Sequence, residues 1–276
     1  MIKQAGNQNF FVRSICTWTV AGVLILPTSS SFAQYTFLQS IPVSADLLTT
    51  EQLGHCYLIA QNQLSEYDST GHFLRSYDEK NLGKLQSVDA SNPLKLLLFY
   101  PDFAQINILD SKLAIQRSVQ MRTIGIQLPL LVCSSGNGGI WVFDQQDFQL
   151  KKIDIDLTIS QQSGNLGQLT GTDIVPTSMV EAYNRVYMNN PSAGVLVFDN
   201  FGTYIKTIPI PHITCMQVVE NELLFCKNDS LHSFNLNTLQ EKMVTLPDKA
   251  GEWIDFRIEK GRLFLRRKDK VDIFGF

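Results

Sequence analysis

Acidic and amide side chains recur just before short apolar runs of this sequence, and they are the residues best suited to bind a ligand. The five residues at these positions are Asp46, Asp89, Glu181, Gln217 and Asp255. Such side chains coordinate cations through their oxygens and hydrogen-bond the hydroxyl groups of sugars. If they lie on the innermost strands of a ring of sheets, some of them line the mouth of a central channel. We therefore treat these five residues as ligand-binding candidates and assign no catalytic residue.

Histidine supplies many general bases and metal ligands, but the histidines of this sequence indicate no further candidate site. The histidines at positions 55, 72, 212 and 232 do not pair at a ligand spacing, and HExxH, GxSxG and EF-hand patterns do not occur. Asp154 and Asp156 share one face if their segment is a strand. That arrangement fits either a bound cation or a solvated outer strand, and the second interpretation is favoured. We expect no metal site and no cofactor.

Residues 1–33 have the layout of a secretory signal peptide. Lys3 and Arg13 precede an apolar run of 12 residues from Ile15 to Leu26, and Ala33 is a small residue just before a cleavage site. A transmembrane anchor needs about 20 apolar residues, which is more than this run contains. We expect cleavage before residue 34, and an exported protein that is periplasmic or associated with the cell envelope, with no membrane span in the mature chain.

The charge balance limits the class of partner. The formal net charge is −3, and charged residues make up 18% of the chain. A charge this small gives no long-range attraction to nucleic acid or to anionic lipid. We therefore expect an envelope protein or a small ligand as the partner, and no nucleic acid.

Four cysteines lie after the expected cleavage site, at positions 56, 133, 215 and 226. Cys215 and Cys226 face each other if their segment is a hairpin, and an oxidising compartment permits a disulfide there. Each of the four also lies in an apolar run, where a buried free thiol is common. The second alternative is favoured, so the sequence predicts free thiols.

Short apolar runs rich in β-branched and aromatic residues repeat along the chain. Their central residues are Tyr57, Leu97, Trp141, Tyr187, Leu224 and Phe264. The runs are too short for helices, and glycine or asparagine often precedes them, which is typical of a turn followed by a strand. The regular spacing, roughly 40 residues, indicates six copies of one structural unit.

Each run is followed by a residue pair that indicates a second turn. An apolar residue precedes Asp or Asn in Tyr67-Asp68, Leu109-Asp110, Phe143-Asp144, Phe198-Asp199 and Phe234-Asn235. Asp and Asn hydrogen-bond backbone N–H groups two residues on and so favour tight turns. Each unit therefore contains three to four antiparallel strands, and the third unit is compressed because Trp141 and Asp144 share one run.

The two ends of the chain complement each other. The last unit stops at residues 271–276, where a fourth strand is still lacking, and residues 37–43 have the pattern of that strand. A ring closed in this way has no unpaired sheet edge at the junction. The sequence predicts an all-β fold: a six-bladed β-propeller of four-stranded antiparallel blades over 34–276, with an N-terminal strand completing the last blade.

The segments "VLVFDNFGTYIKTI" at 195–208 and "LSEYDSTGHFLRSY" at 64–77 resemble the six-bladed β-propellers of the NHL and YWTD-like kind. The chain is also similar to exported propellers of bacterial envelopes. The resemblance implies the fold and leaves the activity open, because such propellers include scaffolds, ligand-binding modules, hydrolases and lyases.

Two functions are compatible with these patterns. The favoured one is an exported, non-catalytic module that binds a protein or a ligand in the cell envelope. Exposed aromatic residues such as Phe103, Tyr183 or Trp253 would favour it if they cluster on one face. The alternative is a hydrolase or lyase at the channel mouth, which requires the candidate carboxylates to converge. The long polar segment 158–178 is predicted to be a loop above the channel.

Overall fold

A computed structural model describes residues 1–2, 35–247 and 250–276. The expected signal peptide and its cleavage site lie almost entirely outside the described residues. Residues Gln34–Phe276 form one compact unit. No helix in the described ranges is long and apolar enough to cross a membrane.

The described part of the chain contains six antiparallel sheets of four strands, as the sequence predicts. The strands of each blade are given from the innermost outwards. Blade 1 consists of β2 (Leu47–Thr50), β3 (Cys56–Ala60), β4 (Gln63–Tyr67) and β5 (Phe73–Asp78), blade 2 of β6 (Ser87–Asp89), β7 (Leu96–Tyr100), β8 (Gln105–Leu109) and β9 (Ile115–Gln120), and blade 3 of β10 (Pro129–Ser134), β11 (Ile140–Asp144), β12 (Gln149–Ile153) and β13 (Ile159–Gln162). Blade 4 consists of β14 (Ser178–Ala182), β15 (Arg185–Asn190), β16 (Gly194–Asp199) and β17 (Tyr204–Ile208), blade 5 of β18 (Cys215–Val219), β19 (Glu222–Lys227), β20 (Ser230–Asn235) and β21 (Glu241–Met243), and blade 6 of β22 (Asp255–Glu259), β23 (Arg262–Arg266), β24 (Val271–Gly275) and β1 (Thr36–Ile41).

The first strands of the six blades form the inner wall of the ring. Each of β2, β6, β10, β14, β18 and β22 contacts the first strand of the next blade, and β22 contacts β2. The ring is therefore closed, and the ends of these six strands define its two faces.

The second strand of each blade carries the repeated apolar run. All six central residues named above lie on β3, β7, β11, β15, β19 and β23, which confirms the repeat. Side chains of neighbouring blades pack into shared apolar clusters; Ile59 of blade 1, for example, lies in one cluster with Leu98 of blade 2. Because both faces of a second strand are covered by other blades, every residue of β7 is buried. Continuous apolar runs are the pattern expected of such strands.

The turns between third and fourth strands share one hydrogen-bonding pattern in blades 1 to 4. The Asp N–H donates to the carbonyl four residues on, and the residue three positions on has a positive φ. The pairs are Asp68 with Gly71, Asp110 with Leu113, Asp154 with Leu157, and Asp199 with Gly202. The turn residue of the third unit is thus Asp154, and the sequence interpretation that placed this turn at Asp144 is wrong.

Asp144 instead ends the second strand of blade 3, and its carboxylate is buried. It accepts hydrogen bonds from the Leu128 N–H at 3.0 Å and the Lys151 ammonium at 2.8 Å. An apolar residue followed by Asp occurs at both kinds of hairpin, so the pattern alone did not separate them. With this correction the third unit has the same four strands as the others.

The N-terminal strand completes the last blade, which confirms the predicted closure. β1 pairs antiparallel with β24, from Thr36 opposite Gly275 to Ile41 opposite Val271. The Ser40 hydroxyl donates a hydrogen bond to the Asp272 carboxylate across this pair. The first and last segments of the propeller are therefore neighbours in one sheet.

The sequence predicts free thiols for all four cysteines, and this prediction is wrong for one pair. Cys215 and Cys226 are opposite each other on β18 and β19, with Cα atoms 5.2 Å apart, and form a disulfide. This Cα separation is the usual one for disulfides. Cys56 and Cys133 are buried free thiols, as the sequence predicts.

The polar segment 158–178 is only partly a loop. Ile159–Gln162 is β13, and Leu166–Thr170 forms the short helix α1, capped by the Asn165 side chain. Leu166 is buried in the cluster between blades 3 and 4. This packing anchors the link between the two blades.

Candidate functional site

The two faces of the ring differ in the turns that form them. We call the upper face the end where the innermost strands finish, and the lower face the end where they begin. The six turns after the innermost strands comprise residues 51–55, 90–95, 135–139, 183–184, 220–221 and 260–261. The turns of blades 1 to 3 are longer than the two-residue turns of blades 4 to 6. The upper face is therefore asymmetric, and its longer turns surround a cavity.

The upper cavity has a volume of about 450 Å³, a size typical of small-molecule sites. It is lined by residues from blades 1 to 4. These are Gln52, Ser91, Asn92, Lys95, Leu97, Ile108, Ser134, Ser135, Gly136, Gly138, Gly139, Ile140, Glu181, Ala182, Tyr183 and Asn184. The apolar residues Leu97, Ile108, Ile140 and Ala182 of this lining are buried or half-buried, and hydroxyl and amide groups surround them.

Glu181 is the one predicted candidate that lines the upper cavity. Its carboxylate lies on β14 of blade 4 and bonds three groups of blade 3. Oε2 accepts from the Ser135 hydroxyl at 2.7 Å and from the Trp141 indole N–H at 2.5 Å, and Oε1 accepts from the Gly136 N–H at 2.8 Å. Three donors of a neighbouring blade thus share one side chain. Glu181 therefore holds the turn 135–139 in place.

Asp89 and Gln217 also connect neighbouring blades. The Asp89 carboxylate accepts from the Ser134 N–H of blade 3 at 2.7 Å and from the Ser91 N–H at 2.8 Å. The Gln217 amide pairs with the backbone of Ile258 in blade 6, donating to its carbonyl and accepting from its N–H, both at 2.9 Å. These side chains satisfy backbone groups on the innermost edges, which would otherwise lack partners.

Asp46 and Asp255 lie toward the lower face. Asp46 comes directly before β2 and lines a separate lower cavity of about 410 Å³ between blades 1 and 2. Asp255 begins β22 and forms ion pairs with Arg257 at 3.4 Å and Arg266 at 3.8 Å. The structure thus separates Asp46 and Asp255, toward the lower face, from Asp89 and Glu181, near the upper ends of β6 and β14. It does not bring the four carboxylates of the described candidates together.

Lys95 was not among the candidates, and it lines two cavities at once. A side cavity of about 200 Å³ adjoins the upper cavity between blades 2 and 3, and Lys95, Ile108, Gly138 and Ile140 line both. The Lys95 side chain is exposed and has no hydrogen-bond or ion-pair partner among the described residues. Its ammonium is therefore available to a ligand.

Arg117 and Asp154 also line the side cavity. The Arg117 guanidinium donates to the Ile155 carbonyl at 2.5 Å, within the turn that contains Asp154 and Asp156. Hydrogen bonds from Thr158, together with the nearby charge of Arg117, lower the pKa of Asp156. Arg117 is thus engaged with the acidic turn of blade 3.

A second group of ionisable residues lies on the upper face, where blade 6 meets blade 1. Burial raises the pKa of Glu259, and the charge of Glu51 raises it further. Glu51 is 1% exposed, and its carboxylate accepts from the N–H groups of Leu53 at 2.7 Å and His55 at 2.9 Å. The His55 Nδ1 atom lies 2.8 Å from the Glu66 carboxylate. Of these residues, none lines the upper cavity.

Among residues 1–2, 35–247 and 250–276, no three His, Cys, Asp or Glu side chains are arranged to hold a metal ion. Asp154 and Asp156 flank a turn instead of sharing one strand face, because β12 ends at Ile153.

The exposed aromatic residues do not cluster on one face. Tyr183 lies at the upper cavity and Phe103 in the turn after β7 at the lower face. Trp253 is half-buried and packs edge-to-face against Phe256. These three residues therefore do not form the cluster that would favour a binding face, and of the three Tyr183 alone lines the upper cavity.

The residues that sequence reasoning missed lie in turns. Gln52, Lys95 and the run 135–139 have no strand periodicity that would mark them. The signal in the sequence is the length of the first turn, which is greater in blades 1 to 3 than in blades 4 to 6. Aligning the six units on their second strands reveals this difference.

Comparison with known proteins identifies the fold. No family model matches the chain, and no curated protein matches its sequence. A streptogramin B lyase structure is similar with a TM-score of 0.62 at 14% identity, over 90% of this chain and 99% of that one. The WD40 domain of Neurospora crassa Pan2 is similar with a TM-score of 0.65 at 9% identity, over 88% and 96% of the two chains.

A third similar structure is BBS1N in complex with ARL6DN, with a TM-score of 0.56 at 15% identity, over 85% of this chain and 78% of that one. Identities this low establish the fold and leave function to the site itself. Together with the six four-stranded blades, these similarities show that the chain is a six-bladed β-propeller, as its resemblance to the NHL and YWTD-like propellers implied.

Proposed function

We propose that this protein is exported and acts in the cell envelope as a non-catalytic binding module, whose ligand or partner contacts the upper face. The observation that carries the proposal is the upper cavity of about 450 Å³, formed where the longer turns of blades 1 to 3 meet Tyr183 and Asn184 of blade 4. Loops on a rigid scaffold commonly form binding sites.

The hydrogen bonds of the Glu181 carboxylate favour a binding function over a catalytic one. Glu181 already accepts three hydrogen bonds from blade 3, so its oxygens are engaged in structure. A hydrolase or lyase at the channel mouth needs several ionisable groups within reach of one reacting atom. The candidate carboxylates lie at different levels of the ring, which argues against that alternative.

The disulfide supports the proposal that the protein is exported. Structural disulfides persist in oxidising compartments and are rare in reducing ones. The Cys215–Cys226 pair therefore fits the signal-peptide pattern of residues 1–33. The fold is compatible with a protein partner and with a small ligand. Similar propellers have been solved with each: BBS1N with ARL6DN, and an inactive virginiamycin B lyase with quinupristin.

Site-specific photo-crosslinking in the native envelope tests the proposal. A benzophenone amino acid replaces Gln52, an exposed residue of the upper cavity, and in a matched variant it replaces Phe103 on the lower face. We expect a discrete crosslinked product from position 52 and none from position 103. Equal products from both positions, or none from position 52, would contradict an upper-face binding site.

A further inference from the structure

The upper and side cavities adjoin each other, and Lys95 lies where they meet. Four residues, Lys95, Ile108, Gly138 and Ile140, line both spaces. A ligand that occupies both spaces extends from the channel mouth toward the outer rim between blades 2 and 3, and passes the ammonium group of Lys95.

The lining of the two cavities holds two cations, Lys95 and Arg117, and two carboxylates, Glu181 and Asp154. The Glu181 carboxylate is satisfied by three donors. In the side cavity the Arg117 guanidinium donates to the Ile155 carbonyl, next to Asp154, so a positive and a negative charge offset each other there. Lys95 is the cation of this lining that has no partner among the described residues. A negatively charged group on the ligand is the natural partner of this ammonium, and the ion pair is solvent-accessible because Lys95 is exposed.

The remaining lining determines the body of the ligand. Leu97, Ile108 and Ile140 provide an apolar patch, and the hydroxyl or amide groups of Gln52, Ser91, Asn92, Ser134 and Asn184 surround it. A pyranose ring has the complementary pattern, because its C–H groups form an apolar face and its hydroxyl groups radiate from the edge. The exposed Tyr183 ring stands at the rim, where an amphipathic aromatic contacts a sugar ring well.

We propose that this site binds a small sugar acid, with its carboxylate at Lys95 and its ring against Ile108 and Ile140. The proposal rests on the proposed binding function and names the class of ligand. The volumes, about 450 Å³ and 200 Å³, accommodate one or two sugar rings.

The test compares two sugars that differ by one acidic group. N-acetylmuramic acid is the probe, and N-acetylglucosamine, which lacks the lactyl carboxylate, is its neutral match. The Trp141 indole N–H donates to Glu181 behind the cavity, so its nitrogen-15 NMR signal reports binding. We expect the acid to shift this signal and to bind about fivefold more tightly than the neutral sugar, the factor for a solvent-accessible ion pair.

Substitution of Lys95 isolates the ion pair. Lys95→Gln is expected to reduce the affinity for the acid to that for the neutral sugar, and Lys95→Arg to retain most of it. Lys84→Gln, an exposed lysine at the lower cavity, serves as the control and leaves both affinities unchanged. Because Lys95 is exposed, its substitution leaves the fold intact.

The result that overturns the proposal is equal affinity for the two sugars, an unchanged affinity in Lys95→Gln, or no shift with either sugar up to its solubility limit. These outcomes are separable from failure of the binding function. A crosslink at position 52 without sugar-acid binding rejects the ligand class alone, whereas the absence of both rejects the binding function too.

Discussion

At the scale of single residues, the seam between the last blade and the first contains two facing carboxylates. Glu259 ends β22, and Glu51 begins the turn after β2. Burial, together with the charge of Glu51, raises the pKa of Glu259. In the folded protein Glu259 therefore holds its proton more tightly than in the unfolded chain, and its ionised form is unfavourable at this seam.

Replacing Glu259 with glutamine should therefore stabilise the protein at neutral pH. The raised pKa means that the unfavourable contribution of ionised Glu259 is present above this pKa and is lost as the pH falls through it. We expect Glu259→Gln to raise the melting temperature by about 2 °C at pH 8, and the gain to vanish on acidification to pH 4. Thermal unfolding of both proteins between pH 4 and pH 8 measures this difference in melting temperature.

The matched control is Glu252→Gln, at an exposed position, which should change the melting temperature little at any pH. A gain for Glu259→Gln that stays constant from pH 8 to pH 4 would show that the two carboxylates do not repel each other in the folded state.

At the scale of secondary-structure elements, blade 5 is the least covered sheet. Its outermost strand, β21, has three residues, all exposed, and its innermost strand β18 is mostly half-buried. The Cys215–Cys226 disulfide joins the first two strands of this blade. A covalent link here restricts the unfolded chain and so compensates for the smaller buried area.

Removal of this disulfide should destabilise the protein. For a loop closed between positions 215 and 226, the chain-entropy description gives a loss of about 2–3 kcal/mol in the free energy of unfolding. Urea denaturation of the Cys215→Ser, Cys226→Ser double variant measures it, and the reduced wild-type protein should show a similar loss. If the reduced and oxidised proteins unfold at the same urea concentration, the disulfide contributes no stability.

The elements and the site were predictable to different degrees. The second strands were found because burial on both faces produces uninterrupted apolar runs. Asp144 and Asp154 were confused because each follows an apolar residue at a hairpin, and local pattern does not identify which hairpin it is. Glu181 and Gln217 lie on innermost strands, and their hydrogen-bond partners belong to neighbouring blades. Contacts between distant segments leave no periodic signal in the sequence.

At the scale of the whole molecule, closure depends on a strand from the other end of the chain. β1 covers the edge of β24, and its last residue Ile41 is buried in the cluster between blades 6 and 1. Without β1, the edge of β24 presents unpaired N–H and C=O groups. Such edges pair with other chains.

A chain that begins at Pro42 should therefore lose both stability and solubility. We expect a free energy of unfolding lower by roughly 3–5 kcal/mol than that of a chain beginning at Gln34, with association visible by size-exclusion chromatography. A synthetic peptide of residues 35–43 should restore the monomer by pairing with β24. A stable monomer without the peptide would mean that β1 is dispensable for closure.

The position of β1 also orders events during synthesis. A chain is made from its N-terminus, and its early segments begin to fold while later ones are still absent. β1 is among the first strands of the propeller to appear, yet its partner β24 spans Val271–Gly275. The ring therefore cannot close until residues 271–275 have been synthesised. A product that stops before residue 271 retains an unpaired first strand, which is open to chaperones and proteases.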